Sequence, residues 1–147
     1  MRIIQTEITM EASSWTVWDH LADLGAYSSW NPLVQGTSGR VKEGKMLNPV
    51  FTLNGSKPRR CRVTIDEVAQ RRELHWSGYY LNPKIFRFKE IFRIQSLDDK
   101  LVVLKHVAKF NGFFAAVSWN QLDAAITKAF EEFNGKLKAI SERTENR

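Results

Sequence analysis

Between Arg59 and Phe110 the chain alternates, and after Ser118 it does not; that change of period is what most limits how it can fold. Cys61, Val63 and Ile65 alternate with Arg60, Arg62 and Thr64, and Leu74, Trp76 and Gly78 with Glu73, His75 and Ser77. Phe86, Phe88, Glu90, Phe92 and Ile94 then share one parity while Arg87, Lys89 and Arg93 hold most of the other. After a turn at Asp98-Asp99, Val102, Leu104, His106, Ala108 and Phe110 line up opposite Lys105 and Lys109. A two-residue period places one set of side chains on each face of a strand, so these segments predict an antiparallel sheet with one wet face. From Trp119 the apolar residues Leu122, Ile126, Phe130, Phe133, Leu137 and Ile140 recur at three and four residues, which predicts one amphipathic helix over Ser118–Glu142. At 1.5 Å per residue it spans about 37 Å, enough to cross a sheet. A dry sheet face and a dry helix stripe must bury against each other, so the expected class is α+β.

The first half of the chain is less regular. Ile3, Ile4, Ile8 and Met10 alternate with Gln5, Thr6, Glu7 and Thr9 as a first strand. Ala12-Ser13-Ser14 supplies a helix start, and Trp15, Val17, Trp18, Leu21 and Leu24 form a helical stripe that ends near Gly25. A second short helical turn is expected over 27–32, because Pro32 biases Asn31 away from helix. Glycines at 36, 39 and 44, Asn48-Pro49 and Asn54-Gly55 then punctuate short strands that hold Val41, Met46, Val50, Phe51 and Leu53. Counting the meander gives about six or seven strands. No repeat or linker divides residues 1–147, which read as one domain.

Charge and cysteine usage narrow the function classes. Residues 55–110 hold 13 Lys/Arg against 6 Asp/Glu, whereas the flanking stretches are near balance. Because those cations alternate with apolar residues, the simpler reading is the solvated face of a sheet. The run Lys57-Pro58-Arg59-Arg60-Cys61-Arg62 could meet phosphates or anionic lipid headgroups, but it lacks the interleaved aromatics of a single-strand nucleic-acid surface, so no nucleic-acid partner is expected. Cys61 is the single cysteine, and no Cys/His cluster with metal spacing accompanies it, so neither a disulfide nor a metal is expected. The polar N-terminus supports neither a signal peptide nor a membrane span, and a cytoplasmic protein without integral membrane association is expected. No glycine-rich phosphate loop, serine-hydrolase elbow or paired-histidine metal motif is present, so no cofactor is expected.

Two polar residues stand out because strand parity puts them among aromatics: Glu90 between Phe88 and Phe92, and His106 between Leu104 and Ala108. A hairpin that turns at Asp98-Asp99 makes neighbours of residues whose numbers sum to about 197, which places the pair on one face within reach. A buried hydrogen-bonded pair that ties two strands is the plainest role; a ligand anchor or an acid/base couple are the alternatives. Around them Trp76, Phe86, Phe88, Phe92, Phe110, Trp119, Phe130 and Phe133 fall on the inner surfaces of sheet and helix, where they either fill a core or line a ligand cavity. Trp30-Asn31-Pro32 reads as a buried anchor and rigid turn more simply than as a cavity gate.

The order of elements, together with Val17-Trp18, Leu21 and Asp23, Tyr27 with Trp30-Asn31-Pro32, Arg72-Glu73-Leu74 with Trp76 and Gly78, His106 with Phe110 and Gly112, and Phe133-Asn134 with Leu137-Lys138, resembles the helix-grip superfamily. That superfamily contains polyketide cyclases and dehydrases, lipid-transfer domains related to steroidogenic regulators, and carriers similar to the birch-pollen allergen. The resemblance spans nearly the whole chain. It implies a curved sheet wrapped around the C-terminal helix, with two short helices after the first strand and a cavity between sheet and helix. Many relatives carry a histidine where this chain has Glu90, and an acidic residue where it has Ala108. By resemblance, the leading function is binding or transport of a small hydrophobic molecule: a lipid, a polyketide-like compound or an aromatic metabolite. The alternatives are a cofactor-independent cyclase or dehydratase that uses Glu90 and His106, and a cochaperone-like protein-binding module. The sequence leaves open whether the chain pairs as a homodimer.

Overall fold

The computed structural model describes residues 1–53 and 55–147; Asn54, assigned above to a turn, lies outside them. The chain forms β1 (Arg2–Met10), α1 (Ser14–Ala22), a 3-10 helix (Leu24–Ser29), β2 (Val34–Gln35), β3 (Met46–Leu47), β4 (Val50–Phe51), β5 (Arg59–Ala69), β6 (Glu73–Tyr80), β7 (Phe86–Asp98), β8 (Leu101–Asn111) and α2 (Phe113–Glu145). One antiparallel sheet takes the order β1-β8-β7-β6-β5-β4-β2, with β3 also paired to β5. Among the described residues there are thus eight strands; three of them are two residues long, too short for an alternation to be read.

The alternating segments bury the parity expected of them. Val102, Leu104, His106, Ala108 and Phe110 of β8 and Phe88, Glu90, Phe92 and Ile94 of β7 are all buried on the face that α2 covers. Both hairpins leave room for this curvature: the pairing of β5 with β6 shifts between Ile65 and Glu67, and that of β7 with β8 shifts between Ser96 and Asp98. The outer face is not uniformly wet. His75 is buried there, with its Nε2 2.9 Å from Glu73 Oε1 and its Nδ1 3.6 Å from Glu67 Oε2.

Helix α1 begins where the sequence places it. Ser13 is the N-cap, its Oγ accepting from the Thr16 amide at 3.2 Å. Trp15 departs from expectation: it is exposed and holds the Arg71 guanidinium 3.9 Å over its ring instead of joining the buried stripe. The helix also stops earlier, and Leu24 belongs to the 3-10 helix. Asn31 closes that segment by accepting from the Leu33 and Val34 amides, both at 2.9 Å, while Trp30 packs between Tyr27 and Phe133; the anchor-and-turn reading holds.

Helix α2 starts five residues before the expected Ser118, because its first turn is held by backbone partners rather than by an apolar stripe. The Phe113 and Phe114 amides donate to the Lys84 and Ile85 carbonyls in the β6–β7 turn, both at 2.9 Å. These partners satisfy donors that a helix N-terminus otherwise leaves open. Gly112 makes the approach feasible: its φ is 111°, and a Cβ there would lie 2.5 Å from the Ile85 carbonyl oxygen. At the other end, α2 caps α1. Glu145 accepts from the Ser13 amide at 3.0 Å and the Thr16 hydroxyl at 2.9 Å, and Glu142 accepts from the Glu11 amide at 2.8 Å. Carboxylates at a helix N-terminus also meet the positive end of its dipole.

Two stability experiments follow. A Cβ at Gly135 meets open space, so Gly135→Ala should raise the free energy of unfolding by roughly 0.5–1 kcal/mol, whereas Gly112→Ala should lower it by more than about 1 kcal/mol in urea titrations. The Thr16 hydroxyl, and after it the Ser13 amide, hold the Glu145 carboxyl below its ordinary value of 4.5. A depressed folded-state value means that the stabilisation is present above the unfolded pKa and is lost as pH falls through the folded one. Glu145→Gln should therefore lower the melting temperature at neutral pH and lose less on acidification below 4.5 than the parent chain does.

Candidate functional site

The inward faces of β7 and β8 meet α2 around one polar chain. His106 has no exposed surface, and its ring is stacked between Phe92 at 4.4 Å and Phe130 at 3.9 Å, with Phe133 5.1 Å away. Its Nε2 lies 2.9 Å from Glu90 Oε2 and its Nδ1 3.0 Å from Asn134 Oδ1. Asn134 Nδ2 donates to Thr6 Oγ1 at 2.8 Å, and the Thr6 hydroxyl donates to the His106 carbonyl at 3.2 Å. Each nitrogen of the buried imidazole thus has a hydrogen-bonding partner, Asn134 at Nδ1 and Glu90 at Nε2.

The register differs from the expected one in detail. Glu90 pairs with Ala108 and Phe92 with His106, so partner numbers sum to 198 and the two polar side chains meet diagonally. The shift between Ser96 and Asp98 moves the pairing by a residue, which a turn assigned at Asp98-Asp99 could not reveal.

Beside Glu90, which is 3% exposed, lies a cavity of about 100 Å³ between the sheet and α2. Of the residues expected around it, Phe86, Phe88, Glu90, Phe110 and Phe130 line it. Trp76, Phe92, His106 and Phe133 pack together outside the lining: Trp76 and Phe92 rings are 5.2 Å apart, and Phe92 and Phe133 rings 5.4 Å. Trp119 lies outside the lining too, 5.6 Å from Phe110 and beneath the Arg2 guanidinium. Strand parity brought out the sheet residues and the inward parity of Cys61, but Cys61 and Tyr80, paired across β5 and β6, were not expected in the lining, nor were Leu33, Phe51 and Leu53 from the irregular half. Phe114, Leu122 and Ile126 line it from α2, and Ser56, Lys57 and Arg59 stand exposed at its mouth. There Arg59 Nη1 donates to the Tyr80 hydroxyl at 3.1 Å.

Burial governs the neighbouring titratable groups. It pushes the Cys61 thiol up to about 12, against a smaller opposing effect of Arg59 and with a further push from Glu90. Burial first, then the carboxylates of Glu90 and Asp23, raise the Tyr27 phenol above its ordinary range, so its hydroxyl stays protonated and donates to the Leu21 carbonyl. No helix of the described residues is long and apolar enough to cross a membrane.

Comparison with solved structures finds the same fold at low identity. A START superfamily protein from Mycobacterium smegmatis superposes with a TM-score of 0.77 at 17% identity, over 97% of this chain and 98% of that one. The Zhui aromatase/cyclase from Streptomyces sp. R1128 gives 0.71 at 18%, over 97% and 94%. The di-domain aromatase/cyclase BexL of the BE-7585A biosynthetic pathway gives 0.79 at 13%, covering all of this chain and 48% of that one. No curated protein matches the sequence. Residues 1–142 match the family described as polyketide cyclase / dehydrase and lipid transport, and with the helix-grip architecture in place the chain belongs to that family.

Proposed function

We propose that this protein binds a small hydrophobic molecule, such as a lipid, a polyketide-like compound or an aromatic metabolite, in the cavity between the sheet and α2. The observation that carries the reading is the cavity wall itself. It is built from Phe, Leu and Ile side chains of both layers, with one buried charged residue, Glu90, and its hydrophilic residues otherwise at the mouth. An apolar enclosure with one placed polar group is the usual form of a small-molecule site. Size then limits the occupant. Sites that enclose drug-sized ligands measure roughly 300–1,000 Å³, so a cavity of about 100 Å³ takes a single ring as it stands. A larger ligand must displace Phe86, Phe114 or Leu53 at the mouth. In this reading Glu90 is the anchor, while Trp76, Phe92, His106 and Phe133 hold the wall in place.

One observation favours the cyclase- or dehydratase-like alternative: the hydrogen bond between Glu90 and His106 lies at the edge of the cavity. A carboxyl group that lines the cavity and is hydrogen-bonded to an imidazole behind it is suited to general acid/base work.

Folded protein should bind a solvatochromic naphthalene dye at one site, and Ile126→Trp, which fills the cavity from α2, should abolish that binding while leaving a cooperative melt. If the dye binds equally well to the filled variant, the cavity is not the site. Cys61 gives a second readout, because a thiol held near 12 exposes roughly a thousandfold less thiolate at neutral pH than one at 9.0. Its reaction with a disulfide reagent should be slow in the apo protein and slower still with dye bound. The Glu90–His106 pair is tested by a double-mutant cycle. Glu90→Leu and His106→Leu should each cost about 1–3 kcal/mol, and the double variant less than their sum, since each single change strands a buried partner. Additive losses would show that the two residues do not act together.

A further inference from the structure

The rim of the cavity mouth carries exposed apolar side chains, of which Phe114 also lines the cavity. Leu81 is 69% exposed, Phe113 71% and Val117 63%, with Ile85 and Phe114 also exposed. They form one patch. The Phe113 and Phe114 amides bind the Lys84 and Ile85 carbonyls, so the start of α2 is seated on the β6–β7 turn, and Val117 follows Phe113 one helical turn later. Phe114 also lines the cavity and lies 6.4 Å from Phe86, so the patch is continuous with the cavity wall. Leu81 sits at φ 65°, a left-handed conformation that a branched apolar residue adopts at a cost. The turn therefore holds a leucine outward where asparagine or glycine would fit without strain.

The charge around this patch is of one sign. The sheet register brings residues 55–62, 79–89 and 107–117 to the same end of the molecule, since Cys61 pairs with Tyr80 and Arg87 with Asn111. Those segments contain eight Lys/Arg and no Asp/Glu. The opposite end is mixed: Asp98, Asp99 and Lys100 at the β7–β8 turn, Glu11, Glu142 and Glu145 beside it, and Arg71 and Arg72 in the β5–β6 turn. The excess of positive charge is thus concentrated at the apolar-tipped end around the mouth.

We propose that this basic end docks on the surface of an anionic lipid bilayer, with Leu81, Phe113 and Val117 entering the interface and the cavity mouth facing the lipid. The apolar side chains project from a turn and a helix start rather than lining a groove, which suits insertion into a fluid interface better than contact with a shaped protein surface. Lys57 and Arg59 at the cavity mouth and Lys84 and Arg87 at the β6–β7 turn match anionic headgroups, each such cation raising partitioning roughly fivefold. A hydrophobic ligand then passes between bilayer and cavity without crossing water. This goes beyond the ligand-binding reading and is measured separately: vesicle binding is read on ligand-free protein, and dye binding without vesicles.

The test is co-sedimentation with vesicles of phosphatidylcholine alone and of phosphatidylcholine mixed with phosphatidylserine. Partitioning onto the anionic vesicles should be at least roughly tenfold stronger and should weaken as salt is added. Leu81→Ser with Phe113→Ser should reduce it roughly tenfold without lowering the melting temperature, because both side chains are exposed. Phe113→Trp should show a blue-shifted emission on anionic vesicles and none on neutral ones. The proposal is overturned if neither vesicle is bound, if the double serine variant binds as well as the parent, or if soluble polyglutamate competes fully and the emission of the Phe113→Trp variant stays unshifted.

Discussion

The stacking of His106 between Phe92 and Phe130 joins the two layers of this protein, and much of the interior is arranged around it. Phe92 belongs to β7, His106 to β8 and Phe130 to α2, so one column of rings crosses from sheet to helix. An imidazole in that position has both nitrogens away from water, and each must find a partner. Glu90 supplies one from β7 and Asn134 the other from α2, with Thr6 of β1 completing the chain. Three strands and the long helix are thereby tied in one register, because a slip of one residue in any strand would turn its polar member to the opposite face.

That arrangement also decides where empty space remains. With Phe92, His106, Phe130 and Phe133 closely stacked, the sheet and helix are filled at their centre, and the cavity lies to one side of it, toward the β6–β7 turn and the start of α2. Glu90 sits at the boundary between the filled and hollow parts, touching His106 on one side and bordering the cavity on the other. The buried acid of the inner face is thus both a tie between strands and part of the cavity wall. A group in that position need not be dedicated to either role. At the mouth, Phe114 and the cationic residues Lys57 and Arg59 stand exposed.

Much of the fold was legible because alternation is a direct consequence of strand geometry. The inward parity of β5 to β8 held at nearly every position, and Glu90 and His106 came together from parity and an approximate hairpin sum. The beginning of α2 was not legible, since Phe113 and Val117 point to solvent and the helix is started by carbonyls of a turn some thirty residues earlier. Trp15 was misplaced for a related reason: a tryptophan on a short helix packs equally well under the sheet or against an arginine from a distant turn, and only the position of Arg71 decides. The irregular segment that contributes Leu33, Phe51 and Leu53 has strands of two residues, in which a period cannot be seen.

By itself the sequence determined the class of fold, the residues that face inward and the presence of a buried acid and imidazole on neighbouring strands, because each of these follows from local periodicity and the side chains present. Which inward aromatics pack solidly and which border a void was decided only by the tertiary structure. A void is what remains after two curved layers have met, and it depends on the bulges that bend the sheet, the diagonal register of Glu90 and His106 and the seating of α2 on a distant turn. None of these is encoded within the reach of a repeat, so the alternation that identifies an inward phenylalanine cannot tell Phe92, inside the stack, from Phe88, at the cavity wall.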